Sequence, residues 1–172
     1  LKLAANNLGD RNTRKLADCM MATDIEVLDL SRNKIGTDLG EKQDGGNRTG
    51  VGEVVGIALG EMIEGTDSLV DIDLSWNSIR GKGAAAIGTA MGHGTTLKRV
   101  NLSFNSFSDE GGEAVGQSLH TNPILEEVDL SDNRIGERGS FFLANGVKAS
   151  SSMRKLKLRN NPIGAAGARA IL

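Results

Sequence analysis

Few side chains in this sequence are of the types that make or break bonds. There are two histidines, His93 and His120, and one cysteine, Cys19. Each histidine falls late in an expected helix or in its exit turn, where an imidazole caps carbonyls or faces solvent. One thiol and two scattered imidazoles supply neither a Cys/His metal cluster nor a nucleophile with its base. The glycine runs do not cradle phosphate either. Gly50-Val-Gly52-Glu-Val-Val-Gly56 is not the dinucleotide fingerprint, and Gly81-Lys-Gly83 lacks the phosphate-loop frame. The residues therefore point to no enzyme, no cofactor and no metal. The side chains suited to recognition are Arg32, the single tryptophan Trp76, Phe104, and the aspartates Asp29, Asp73 and Asp129.

Composition narrows the partner. The chain has 172 residues, with 20 Lys+Arg against 22 Asp+Glu. That length suits one domain with a sizeable core. The near balance of charge argues against a nucleic-acid binder, which needs a basic excess to hold phosphates. No apolar run approaches the roughly 20 residues of a membrane span, and no signal peptide opens the chain. With one cysteine and no disulfide framework, a reducing, cytoplasmic location is the expectation.

The elements that position these residues are visible in a repeat. Leu1-Lys-Leu3-Ala-Ala-Asn6-Asn-Leu8, Leu28-Asp-Leu30-Ser-Arg-Asn33-Lys-Ile35 and Ile72-Asp-Leu74-Ser-Trp-Asn77-Ser-Ile79 follow one template. Val100-Asn-Leu102-Ser-Phe-Asn105-Ser-Phe107, Val128-Asp-Leu130-Ser-Asp-Asn133-Arg-Ile135 and Leu156-Lys-Leu158-Arg-Asn-Asn161-Pro-Ile163 follow it too. The anchor asparagines Asn6, Asn33, Asn77, Asn105, Asn133 and Asn161 are spaced by 27, 44, 28, 28 and 28 residues. This is the leucine-rich-repeat signature.

Each position has a physical role. Alternation in a short strand sends Val100 and Leu102 to the core and Arg99, Asn101 and Ser103 outward. The asparagine stands where the chain leaves the strand, and a buried amide there satisfies backbone groups of the turn. Six residues later comes a glycine (Gly83, Gly111, Gly139, Gly167), read here as starting a helix. Apolar pairs follow at helical spacing: Ile87 and Met91, Val115 and Leu119, Leu143 and Val147. The 23 glycines, nearly twice the usual share of about 7%, are thus mostly positional.

A period of 28 residues with a full helix resembles the ribonuclease-inhibitor-like subfamily of leucine-rich repeats. The run Leu74-Ser-Trp-Asn-Ser-Ile-Arg-Gly-Lys-Gly-Ala-Ala-Ala86 is similar to the vertebrate leucine-rich-repeat-containing 74 family. The resemblance implies an α/β solenoid of six repeats over residues 1–172, a horseshoe with a parallel sheet on the concave face and helices on the convex face. It also implies a non-catalytic scaffold that binds another protein. The subfamily includes cytosolic immune sensors and a GTPase activator as well, so a sensing or autoinhibitory repeat region and a GTPase regulator stand as alternatives. No motif here lets the activators' functional residues be carried over.

Read as columns across a parallel sheet, the exposed positions separate. Val27, Asp71, Arg99, Glu127 and Lys155 alternate in sign over the last four, as do Lys98, Glu126 and Arg154, which suggests a self-neutralising ladder. Lys2, Asp29, Asp73, Asn101, Asp129 and Lys157 place like charges side by side. That stripe is either a docking surface for a basic protein or a solvated row paired with Lys2 and Arg32. Ser31, Ser75, Ser103 and Ser131 form a third column of small polar residues on a crowded surface. Beside it run Arg32, Trp76 and Phe104, either a contact centre for a protein partner or rings folded over the core.

The second repeat carries roughly 16 more residues than its neighbours, assigned to an insertion loop over 37–52. It is polar and glycine-rich, which fits a mobile loop or a partner-contacting one. The chain starts inside a strand and stops inside a helix without polar caps, as a fragment of a longer array would.

Overall fold

The computed structural model describes residues 1–38, 51–93 and 96–172. Helices and strands alternate: α1 (Asp10–Met20), β1 (Val27–Asp29), α2 (Val51–Gly65), β2 (Asp71–Asp73), α3 (Gly81–Ala90), β3 (Arg99–Asn101) and α4 (Ser108–Thr121). β4 (Glu127–Asp129), α5 (Glu137–Ala149), β5 (Lys155–Lys157) and α6 (Gly164–Ile171) complete the chain. The strands form one parallel sheet in the order β1-β2-β3-β4-β5, with no crossover. Equivalent template positions pair throughout, from Asp29 with Asp73 to Asp129 with Lys157. The template thus sets the register. The first of the six repeats contributes isolated bridges in place of a strand, Lys2 to Asp29 and Gly9 to Lys34, and its Ala5 N–H donates to the Ser31 carbonyl.

Each helix packs on the next, giving a solenoid. Parallel strands stand about 4.8 Å apart, whereas helix axes need about 8–10 Å. The sheet is therefore the inner, tighter side of the curve. Between the layers lies one apolar core built from the template: Leu28, Ile72, Val100 and Val128 on the strands, then Leu30, Leu74, Leu102 and Leu130. The helices add Leu59, Ile87, Val115 and Leu143. Of the expected helical pairs only Val147 is half-buried, because it packs toward the last repeat.

Glycines make the close helix spacing possible. They lie inside the first turn rather than starting it: Gly83 is the third residue of α3 and Gly111 the fourth of α4. A side chain on Gly116 of α4 would come within 2.5 Å of the Phe142 carbonyl on α5. On Gly56 it would stand 2.5 Å from the Gly83 Cα. Gly36 combines both demands, since its φ is +83° and an added Cβ would meet the Ser78 carbonyl oxygen at 2.5 Å. Its N–H donates to Asp10, a buried carboxylate on α1 that also accepts from the Asp38 N–H at 2.9 Å. Asp109 of α4 repeats the device, accepting the Gly136 and Gly139 N–H groups at 2.7 and 2.9 Å. The start of α5 is thus capped by the previous helix.

The asparagines tie repeat to repeat. The Asn105 amide donates to the carbonyls of Leu74 and Leu102, both at 3.0 Å, while its oxygen accepts the Ile79 N–H at 3.0 Å. Asn33, Asn77 and Asn161 likewise each bridge the leucine carbonyl of their own strand and that of the repeat before. Asn133 reaches Leu102 and accepts from Phe107. Full burial, expected for all six, holds for Asn105 and Asn133 only, and Asn33, Asn77 and Asn161 are half-buried. Asn6 is exposed and its amide reaches only the Ala4 carbonyl. The insert expected at 37–52 falls, from 39 to 50, outside the described residues; its flanks meet where the Gly52 N–H donates to the Asp38 carbonyl at 2.7 Å.

Two outcomes test this packing. Asn133→Ala leaves the Phe107 N–H without its acceptor and is expected to cost about 2–4 kcal/mol in urea unfolding, against under about 0.5 kcal/mol for Asn6→Ala. Gly116→Ala should destabilise by about 1–3 kcal/mol through overpacking, whereas Gly65→Ala, facing only the flexible Met21 side chain, should stay within about 0.5 kcal/mol of wild type.

Candidate functional site

Among the described residues no group of three or more His, Cys, Asp or Glu side chains is placed to hold a metal ion. His120 sits in the last turn of α4, and His93 follows α3, its Nδ1 3.4 Å from an oxygen of Glu64. The surface chemistry lies on the sheet and along the edge where the strands end.

That edge is set by backbone conformation. Ala5, Arg32, Trp76, Phe104, Asp132 and Asn160 all adopt left-handed φ values between 55° and 57°. A left-handed L-residue costs about 1–2 kcal/mol, yet it turns the chain out of the strand. Each of these residues except Asn160 then donates its N–H to the next repeat, as Trp76 does to the Ser103 carbonyl at 3.0 Å. The turn lifts one side chain per repeat to the rim.

On this rim the three residues expected as a contact centre come together. The rings of Trp76 and Phe104 are stacked, with centroids 3.8 Å apart and planes 14° from parallel. The Arg32 guanidinium lies over the other face of the pair, 5.0 Å from the Trp76 centroid. Trp76 is 46% exposed, and neither ring belongs to the core. At an exposed site a cation–π contact contributes about 0.5–1 kcal/mol and a stacked aromatic pair about 0.5–1.5 kcal/mol, so the three side chains hold one another in place. Further along the rim Asn160 donates to Asp132 at 3.0 Å. The other Asp132 oxygen is enclosed without a hydrogen-bond partner.

The acidic column resolves into individual roles. Asp29, Asp73 and Asp129 each accept, through Oδ1, the N–H of the serine two residues on, at 3.0, 2.8 and 3.0 Å. Through Oδ2, Asp73 accepts from the Asn101 amide at 2.9 Å and Asp129 from Lys157 Nζ at 2.9 Å. The serines, expected at the surface, are buried because they are folded under these carboxylates. Partial burial alone would push the Asp129 carboxyl upward, but hydrogen bonds from Lys157 and Ser131 outweigh it and hold it below the ordinary carboxylate range. The hydrogen bond to Asp129, reinforced by its charge, raises the Lys157 ammonium.

The outermost column neutralises itself. Arg99 Nε lies 2.8 Å from Asp71, Lys155 3.6 Å from Glu127, and Arg154 3.8 Å from Glu126. The first two pairs flank a concavity of about 170 Å³ floored by Val100 and Val128. Asn101 and Lys157 serve Asp73 and Asp129 from the same column, and shared column position is the signal in the sequence that marks them.

A solenoid of short parallel strands, each followed by a helix, with an asparagine at every strand exit, is a leucine-rich-repeat architecture. The leucine-rich-repeat pattern matches residues 22–38, 68–88, 93–116, 121–144 and 149–172, and the chain belongs to that family. A solved structure described as "Leiomodin-1 Actin-Binding Site 2 (ABS2)" is similar in fold, with a TM-score of 0.59 and 21% identity over 69% of this chain and 68% of that one. No curated protein matches the chain in sequence. No helix among the described residues is long and apolar enough to cross a membrane.

The Asp129–Lys157 pair has a pH signature. A depressed carboxyl adds stability above its unfolded pKa of about 3.9 and loses it as pH falls through the folded value. Lys157→Met should therefore flatten the drop in melting temperature between about pH 5 and pH 2.5, as followed by circular dichroism.

Proposed function

We propose that this chain is a non-catalytic scaffold that binds another protein through the rim stack Arg32–Trp76–Phe104 and the adjoining concave face. The observation that carries this reading is the stack itself. Two aromatic rings and a guanidinium are held outside the core, on backbone that the next repeat pins in place. Rigid display of this kind reduces the ordering cost of association. The column of Asp29, Asp73 and Asp129 runs beside the stack and favours a basic partner by charge complementarity. The ion pairs of the outermost column keep the rest of the sheet close to neutral, so the acidic column sets the sign. A location in the cytoplasm belongs to the same proposal and rests on the single cysteine.

The test is substitution at the centre of the stack. Trp76→Ala is expected to retain the fold, seen as an unchanged circular dichroism spectrum, and to weaken a partner recovered by affinity capture at least tenfold. Unaltered affinity would remove the stack from the interface.

A further inference from the structure

Within that protein-binding reading, on which this inference rests, the geometry points to Asp29 as the one ionic anchor of the surface, receiving a lysine or arginine of an extended partner segment with apolar flanks. The three aspartates of the column differ in what their second oxygen does. In Asp73 it is taken by Asn101 and in Asp129 by Lys157. In Asp29 only Oδ1 is engaged, by the Ser31 N–H at 3.0 Å and the Ser31 hydroxyl at 2.7 Å. Among the described residues, Oδ2 of Asp29 has no cross-strand donor.

The cations nearest to it are otherwise placed. Arg32 lies over Trp76, and Lys2, across the bridge from Asp29, forms no ion pair among the described residues. On the other side stands Asp73, its register partner and a like charge. Two neighbouring carboxylates with no cation between them attract an incoming one more strongly than either does alone. The flanks are apolar: Val27, two residues before Asp29, is 43% exposed, and Trp76 is 46% exposed. An ammonium or guanidinium at Oδ2, with hydrocarbon over Val27 and the indole edge, matches all three.

The charge can be removed without disturbing the fold. Asn101 holds the same column position two repeats on and accepts the Ser103 N–H at 3.1 Å and hydroxyl at 2.8 Å through its amide oxygen. Asp29→Asn keeps those two bonds and deletes only the charge.

Trp76 is the only tryptophan, so its emission reports on this site directly. The probe is the blocked peptide Leu-Lys-Leu-Lys-Leu, titrated against the whole chain beside its glutamine counterpart Leu-Gln-Leu-Gln-Leu. The lysine peptide is expected to shift Trp76 emission, with an apparent Kd that rises at least fivefold in Asp29→Asn and less in Asp129→Asn. It should be unchanged in Glu110→Gln, which removes the same charge from the exposed side of α4. Asp29→Asn binding no more weakly than Glu110→Gln, or the glutamine peptide binding equally well, overturns the anchor. If Phe104→Ala still abolishes binding in that case, the stack reading stands without it. No emission change with either peptide overturns both.

Discussion

The fold depends on one amide in two places at once. Asn33, Asn77, Asn105 and Asn161 each span the carbonyl of their own strand's last leucine and the equivalent carbonyl one repeat earlier, and Asn133 reaches the earlier one, Leu102. A parallel ladder of three-residue strands has little hydrogen bonding of its own. The asparagine adds bonds where the strand has already ended and the backbone groups are shut away from water. It also fixes translation: a repeat can slip against its neighbour only by breaking this bridge and burying unpaired groups. Strand register, helix-on-helix contact and the alignment of surface columns follow from that lock.

How much of this the sequence reveals depends on how locally each feature is encoded. The strand–helix alternation, the core leucines and the asparagine positions follow from the template, because a 28-residue spacing leaves one way to superpose the copies. The stacking of Arg32, Trp76 and Phe104 follows from shared column position, although the sequence alone left open whether the rings turned inward. Other features depend on a partner in the next repeat. Asp10 and Asp109 look like ordinary first-turn acids, yet they cap loops 26 to 30 residues away. The left-handed backbone along the rim is hinted at only by Asp132 and Asn160, residue types that tolerate it. Full burial holds for Asn105 and Asn133 alone, because burial depends on what the neighbouring repeats lay over each amide and the template does not encode that.

The concave face illustrates how a repeat protein controls its own charge. Placing an acid in one repeat opposite a base in the next neutralises a surface that would otherwise present rows of identical ions. Pairs such as Arg99–Asp71 and Lys157–Asp129 then serve solubility and register more than stability, since exposed pairs contribute at most about 1 kcal/mol. Net charge on this face then comes from the positions where the cancellation is incomplete.

Six different residue types occupy the left-handed rim position: alanine, arginine, tryptophan, phenylalanine, aspartate and asparagine. Their φ values agree within 2°, so the left-handed turn is imposed by the ladder and owes little to the residue that adopts it. The position therefore behaves as an interchangeable socket. Its occupant can change in one repeat without renegotiating the core, the register or the neighbouring sockets. A solenoid built this way separates inheritance of shape from choice of ligand, and new binding specificities lie a few substitutions away from any existing one.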